Sequence, residues 1–145
     1  MKFDYTTTLA TNTKGKLTKR PLVELELLGK ERTVYAFGLI DSGADTTLMN
    51  IEYARDLGID LEGATKKEFL GIGNSRINCF LSTVEMKIRH TDMVITTPVA
   101  FTDSPAVDIL LGQEDFFECL RIKFEKDHDT FELSLSPKLK RQMST

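Results

Sequence analysis

At 145 residues the chain fits one domain with a core of its own. Its 41% apolar and 28% charged composition argues against disorder, and a net charge of -3 gives no reason to expect nucleic acid as the main partner. No apolar run approaches the ~20 residues that cross a bilayer, and Met1-Lys2-Phe3-Asp4-Tyr5 offers no apolar signal segment, so no membrane partner is expected.

Taken in chain order, the first expected element is an N-terminal strand carrying Phe3, Tyr5 and Leu9 and ending near Asn12–Gly15. Val23, Leu25 and Leu27 then alternate with Glu24 and Glu26, the period-2 signature of a strand with one buried face. Leu28-Gly29-Lys30-Glu31 reads as a turn. Asn50 is placed to N-cap a short helix bearing Ile51, Ala54 and Leu57, closed by Gly58. Val84, Met86 and Ile88 alternate with Glu85, Lys87 and Arg89 before the turn His90-Thr91-Asp92. Pro98 lacks a donor, so its stretch is expected at an edge or a bulge. A second short helix is expected from Gln113 to about Cys119. Leu120, Ile122 and Phe124 alternate with charged residues; after Lys126–Asp129, so do Phe131, Leu133 and Leu135 with polar ones. These closely spaced segments predict a mostly antiparallel β fold, a small barrel or folded sheet with one or two short helices. Residues 1–136 form the expected domain and 137–145 a basic, flexible tail. Cys79 and Cys119 are too few and too far apart for a disulfide framework or a zinc site, so a reduced, cytoplasmic chain without metal is expected.

Three segments carry chemistry. The first is Gly38-Leu39-Ile40-Asp41-Ser42-Gly43-Ala44-Asp45. A carboxylate at the end of an apolar run is costly unless it is hydrogen-bonded, and Ser-Gly supplies a tight loop to hold it. Alone, the triplet also reads as a β-turn, but Thr46-Thr47-Leu48-Met49 leads straight back to the core. The second is Val107-Asp108-Ile109-Leu110-Leu111-Gly112-Gln113, an apolar strand ending in glycine. The third is Phe69-Leu70-Gly71-Ile72-Gly73-Asn74, a hairpin tip with one apolar residue between two glycines. Taken singly, the last two read as a core strand and a plain turn.

Together and in this order, they resemble the retropepsin family of aspartic proteases over roughly residues 21–135. Asp41-Ser42-Gly43-Ala44 is similar to the family's catalytic loop, Gly71-Ile72-Gly73 to its flap tip and Ile109-Leu110-Leu111-Gly112 to its apolar-apolar-Gly motif. The spacing and Asp115 look closer to cellular retroviral-like protease domains than to viral enzymes. The resemblance implies a closed antiparallel barrel, a homodimer and no cofactor. It implies Asp41 as the catalytic carboxylate and Ser42 as a brace across the dimer axis. Gly43 would offer its carbonyl to substrate, while Leu39, Asp45 and Leu110 would contact it under a lid made by Gly71, Ile72 and Gly73. Where viral members place an arginine that pairs with the residue matching Asp45, this chain has Gln113, which lacks the charge for that bond.

Water-driven peptide hydrolysis by carboxyls needs an acid and a base. Two carboxyls about 3 Å apart cannot both ionise, which splits their pKa values and supplies both roles. One Asp-Ser-Gly in so short a chain therefore implies a second copy across a two-fold axis. The expected activity is aspartic endopeptidase action on an extended peptide. The competing readings are a non-catalytic dimeric peptide-binding or scaffold module of the same fold, and a β-barrel with an accidental Asp-Ser-Gly. His90 and His128 lie in expected turns without ligand-spaced partners, and Cys79 reads as a packed thiol.

Overall fold

The Val23–Leu27 alternation becomes strand β4 (Leu22–Leu28), which pairs antiparallel with β5 (Thr33–Ile40). The computed structural model describes residues 1–70 and 76–137; the Gly71-Ile72-Gly73 tip and the tail from residue 138 lie outside the described residues. N-terminal to β4 come β1 (Lys2–Asp4), β2 (Thr6–Thr11) and β3 (Leu17–Arg20). After β5 follow β6 (Thr47–Asn50), helix α1 (Ile51–Asp56), β7 (Lys66–Leu70), β8 (Arg76–Ile88), β9 (Val94–Thr102), β10 (Ile109–Leu111), β11 (Leu120–Glu125) and β12 (Thr130–Leu135).

Six strands close on themselves in the order β4-β5-β10-β6-β9-β8, with β8 pairing back to β4 and β7 flanking β8. This is the barrel that the alternation and the resemblance imply. Four of its pairings are antiparallel, whereas β5–β10 and β6–β9 run parallel. Leu25, Leu27, Met49, Met86, Ile88, Ile95, Phe101, Ile109 and Leu111 are fully buried inside it. Asn50 caps α1 as expected, its Oδ1 accepting from the Glu52 N–H at 3.0 Å, and Gly58 follows with φ 71°. There a glycine reverses the chain without a β-carbon penalty.

The N-terminus departs from the single expected strand. β1 joins β12 and β11 in a separate three-stranded sheet, where Phe3 stacks on Phe131 with ring centroids 5.3 Å apart. β2 instead folds back on β3. Asn12 makes the reversal: its Oδ1 accepts from the Lys14 and Lys16 N–H groups, and Gly15 takes φ 74°. Leu9, expected in the same strand as Phe3 and Tyr5, lies on this hairpin and is exposed.

Pro98 also departs from expectation. It lies in β9, between β6 and β8, and not in an edge strand. It faces Thr83 of β8, while pairing to β6 starts only at the next residue, Val99. At Pro98 the strand is thus paired on one side, which accommodates the missing donor. The second helix forms as a wide turn of π type over Gln113–Phe117, kinked where Glu114 is extended and Asp115 takes φ 60°. The Gln113 and Glu114 N–H groups, which have no partner within the helix, donate to the carbonyls of Ala44 and Asp45 and tie its start to the Asp41 loop.

Phe101 is buried within β9 and borders both neighbouring strands. Truncation leaves a cavity that the closed barrel cannot collapse around. The expected outcome for Phe101→Ala is a loss of about 3–5 kcal/mol in urea unfolding. A loss below ~1 kcal/mol would show that the barrel is not the stability core.

Candidate active site

Asp41 follows the last residue of β5, and its backbone is held by the neighbouring parallel strand: Asp41 N–H donates to Leu111 O at 3.0 Å. The loop then tightens. Ala44 N–H donates to Asp41 O at 3.2 Å, and Gly43 N–H donates to Asp41 Oδ1 at 2.9 Å. The carboxyl is therefore fixed by a backbone donor, the arrangement that stabilises a carboxylate without a cation.

A second segment grips this loop from the side. Gly112 N–H donates to Thr47 Oγ1 at 3.1 Å in a buried bond. Gln113 N–H donates to Ala44 O at 2.8 Å, and Glu114 N–H to Asp45 O at 2.9 Å. The Gln113 side chain adds Nε2–H to Ser42 O at 2.8 Å. The residue that cannot replace the viral arginine thus binds a backbone carbonyl of the loop. These contacts need Gly112 to be glycine: a β-carbon there would lie 2.7 Å from Ala44 O and from the Thr46 carbonyl carbon.

Above the loop lies a cleft of about 520 Å³ lined by Asp41, Gly43, Ala44, Asp45, Thr46, Leu48, Phe69, Ile77, Val107 and Leu110. Its walls are largely apolar, with the Asp41 and Asp45 carboxyls among them. The hollow of about 460 Å³ next to α1 is walled instead by Lys30, Glu31, Arg32, Arg55 and Asp56, with Leu57 and Gly58, a mostly charged set of residues. Of the expected site residues, Asp41, Gly43, Ala44, Asp45 and Leu110 come together in the first cleft. Ser42 sits in the loop, exposed, with its carbonyl turned to Gln113. Leu39 does not reach the cleft wall. It pairs in register with Leu110, which in turn pairs with Leu48, so it stands one strand beyond the lining on the same outward face.

Sequence reasoning missed Thr46, Leu48, Phe69, Ile77 and Val107. Phe69 and Ile77 are direct partners across the β7–β8 hairpin, and that pairing, not any local motif, puts both over the cleft. Val107 is set by a loop pinned to α1. Asn50 Nδ2–H groups donate to Ser104 O and Val107 O, Asn50 N–H donates to Asp108 O, and Tyr53 Oη–H donates to Asp108 Oδ1 at 2.6 Å. Burial, followed by the Asp108 carboxylate, pushes the Tyr53 phenol far above its ordinary ionisation range. Burial likewise raises the Cys79 thiol; Cys79 and Cys119 are both buried. Among the described residues, no group of His, Cys, Asp and Glu gathers that could hold a metal ion.

No family model matches the sequence, and no curated protein matches it significantly. Solved structures do match the fold. A retropepsin-like aspartic protease from Rickettsia conorii superposes with TM-score 0.61 at 15% identity, covering 92% of this chain and 98% of that one. The retroviral protease-like domain of Ddi1 from Leishmania major gives TM-score 0.54 at 16% identity, covering 81% and 89%. The chain has the retropepsin-like, aspartic-protease fold.

Two outcomes follow from this geometry. Gly112→Ala forces backbone against backbone and is expected to destabilise the chain by about 1–3 kcal/mol or more, seen as a lowered thermal midpoint; an unchanged midpoint would contradict the close approach. Because the charged phenolate is disfavoured in the folded state, the unfolded chain gives up that proton first. The Tyr53 contribution to stability is therefore present below about pH 10 and lost as pH rises beyond it. In a near-ultraviolet phenolate titration, one of the three tyrosines should ionise well after the others, and Tyr53→Phe should remove that late step. Three coincident ionisations would contradict the Tyr53–Asp108 bond.

Proposed function

We propose that the chain is a homodimeric aspartic endopeptidase in which one Asp41 from each copy shares and activates the attacking water. The observation that carries this reading is Asp41 itself, held by the Gly43 N–H at the base of an apolar cleft on a retropepsin-like fold. With one carboxyl protonated and its partner charged, the pair supplies a base for the water and an acid for the carbonyl oxygen or leaving amine. Asp-Ser-Gly occurs once in the sequence, so the second carboxyl comes from a second copy.

The substrate is an extended peptide of about six to eight residues, bound in β-like fashion. Leu48, Phe69, Ile77, Val107 and Leu110 favour apolar side chains beside the scissile bond. The requirement for one protonated carboxyl favours an acidic optimum. The scarcity of cysteine, two in the whole sequence, favours a reducing, cytoplasmic setting.

An apolar peptide library incubated with the purified protein at acid and neutral pH tests the assignment. Cleavage is expected at acid pH, and Asp41→Asn should reduce it by roughly a thousandfold with the fold unchanged by circular dichroism. Binding without cleavage at any pH would instead support a peptide-binding module, and equal cleavage by the variant would remove Asp41 from the chemistry. Sedimentation should give a dimer at concentrations where cleavage is seen; an active monomer contradicts the shared site.

A further inference from the structure

The Ser42–Gly43 peptide unit is held at both ends. Its N–H donates to Asp41 Oδ1 at 2.9 Å, and its carbonyl oxygen accepts from Gln113 Nε2 at 2.8 Å. In a trans peptide the C=O and N–H lie in one plane and point in opposite directions. One rigid unit therefore connects the Gln113 amide to the Asp41 carboxyl.

That unit is also the middle peptide of a tight turn, closed by Ala44 N–H on Asp41 O at 3.2 Å. Rotating a middle peptide by half a turn interconverts the two commonest turn types, and the rotated form needs positive φ at the third residue. Glycine adopts that conformation freely. Gly43 is the third residue here, and its φ is negative. The loop sequence alone therefore leaves both forms open, and rotation turns the Gly43 N–H away from Asp41.

We infer that Gln113 is a positioning residue whose side-chain amide locks the Ser42–Gly43 peptide in the form that presents its N–H to Asp41. This rests on the reading of Asp41 as the reacting carboxyl. The other bonds from the same segment, made by the N–H groups of Gly112, Gln113 and Glu114, reach Thr47, Ala44 and Asp45. They use backbone donors, survive any side-chain change at 113, and leave the 42–43 unit free to rotate. A donor on the carbonyl also polarises the opposite N–H and strengthens its bond to the carboxyl.

Gln113→Ala and Gln113→Glu test this against the wild type. Removing the donor is expected to lower kcat about tenfold, one hydrogen bond's effect, with KM and the thermal midpoint nearly unchanged. Glutamate keeps the shape but donates only when protonated. The Gln113→Glu to wild-type kcat ratio should therefore rise toward one as pH falls through the ordinary glutamate range, near about 4. A readout independent of catalysis is the Gly43 amide proton by NMR at neutral pH, expected to shift upfield and exchange about tenfold faster in Gln113→Ala. If the wild type cleaves no peptide, the protease reading fails and the Gly43 amide alone decides the role of Gln113. A Gly43 amide unmoved by Gln113→Ala overturns the inference. So does a Gln113→Ala kcat equal to that of the wild type.

Discussion

Gly112 approaches the loop after β5 so closely that a β-carbon on it would lie 2.7 Å from the Ala44 carbonyl oxygen. The parallel pairing of β5 and β10, with Leu39 beside Leu110 and Ile40 beside Leu111, brings the two backbones to this distance. Much of the site follows from it. The buried Thr47 hydroxyl finds the Gly112 N–H, and the Ala44 and Asp45 carbonyls find the next two. The Ser42, Ala44 and Asp45 carbonyls of the loop are thus satisfied from outside it, as a loop lying against a core needs. Asp41 inherits a fixed direction from a frame that its own sequence does not contain.

In the proposed mechanism that frame prepares a carboxyl for chemistry without a cation beside it. A backbone N–H fixes one carboxyl oxygen, beside a cleft with largely apolar walls. One carboxyl supplies either an acid or a base at a given moment, and no other Asp-Ser-Gly exists in the sequence. In the proposed mechanism a second copy supplies the other carboxyl, and the loop that carries Asp41 leaves Ser42 and Gly43 exposed for it.

Much of this was legible in the sequence because it depends on local patterns. Alternation in Val23–Leu27, Val84–Ile88 and Phe131–Leu135 gave strands with the expected buried faces, whereas in Leu120–Phe124 the strand formed but Phe124 is exposed. Asn50 and Gly58 marked the ends of α1 through capping chemistry that acts over a few residues. The Asp41 loop and the Leu110-Leu111-Gly112 strand were recognisable as motifs, and the barrel shape followed from their order. What could not be read depends on contacts between distant segments. Pro98 is tolerated inside the barrel because β6 happens to start pairing at Val99. The kink in the 113–117 turn, with Asp115 at positive φ, has no signal in the local sequence. Phe69 and Ile77 meet the cleft only through the β7–β8 register. The β2–β3 hairpin escaped notice because its strands are rich in threonine and lysine and bury no alternating apolar face. Gln113 looked like a missing charge, and its role becomes visible only when its amide is seen on the Ser42 carbonyl.

The shared site is tested most directly by mixing wild-type and Asp41→Asn chains under conditions that allow subunit exchange, at constant total protein. If each site needs one Asp41 from each copy, only wild-type pairs cleave, and an equal mixture retains about a quarter of the wild-type activity. Activity of about one half, in simple proportion to the wild-type chains present, would show that one Asp41 suffices and would contradict the account.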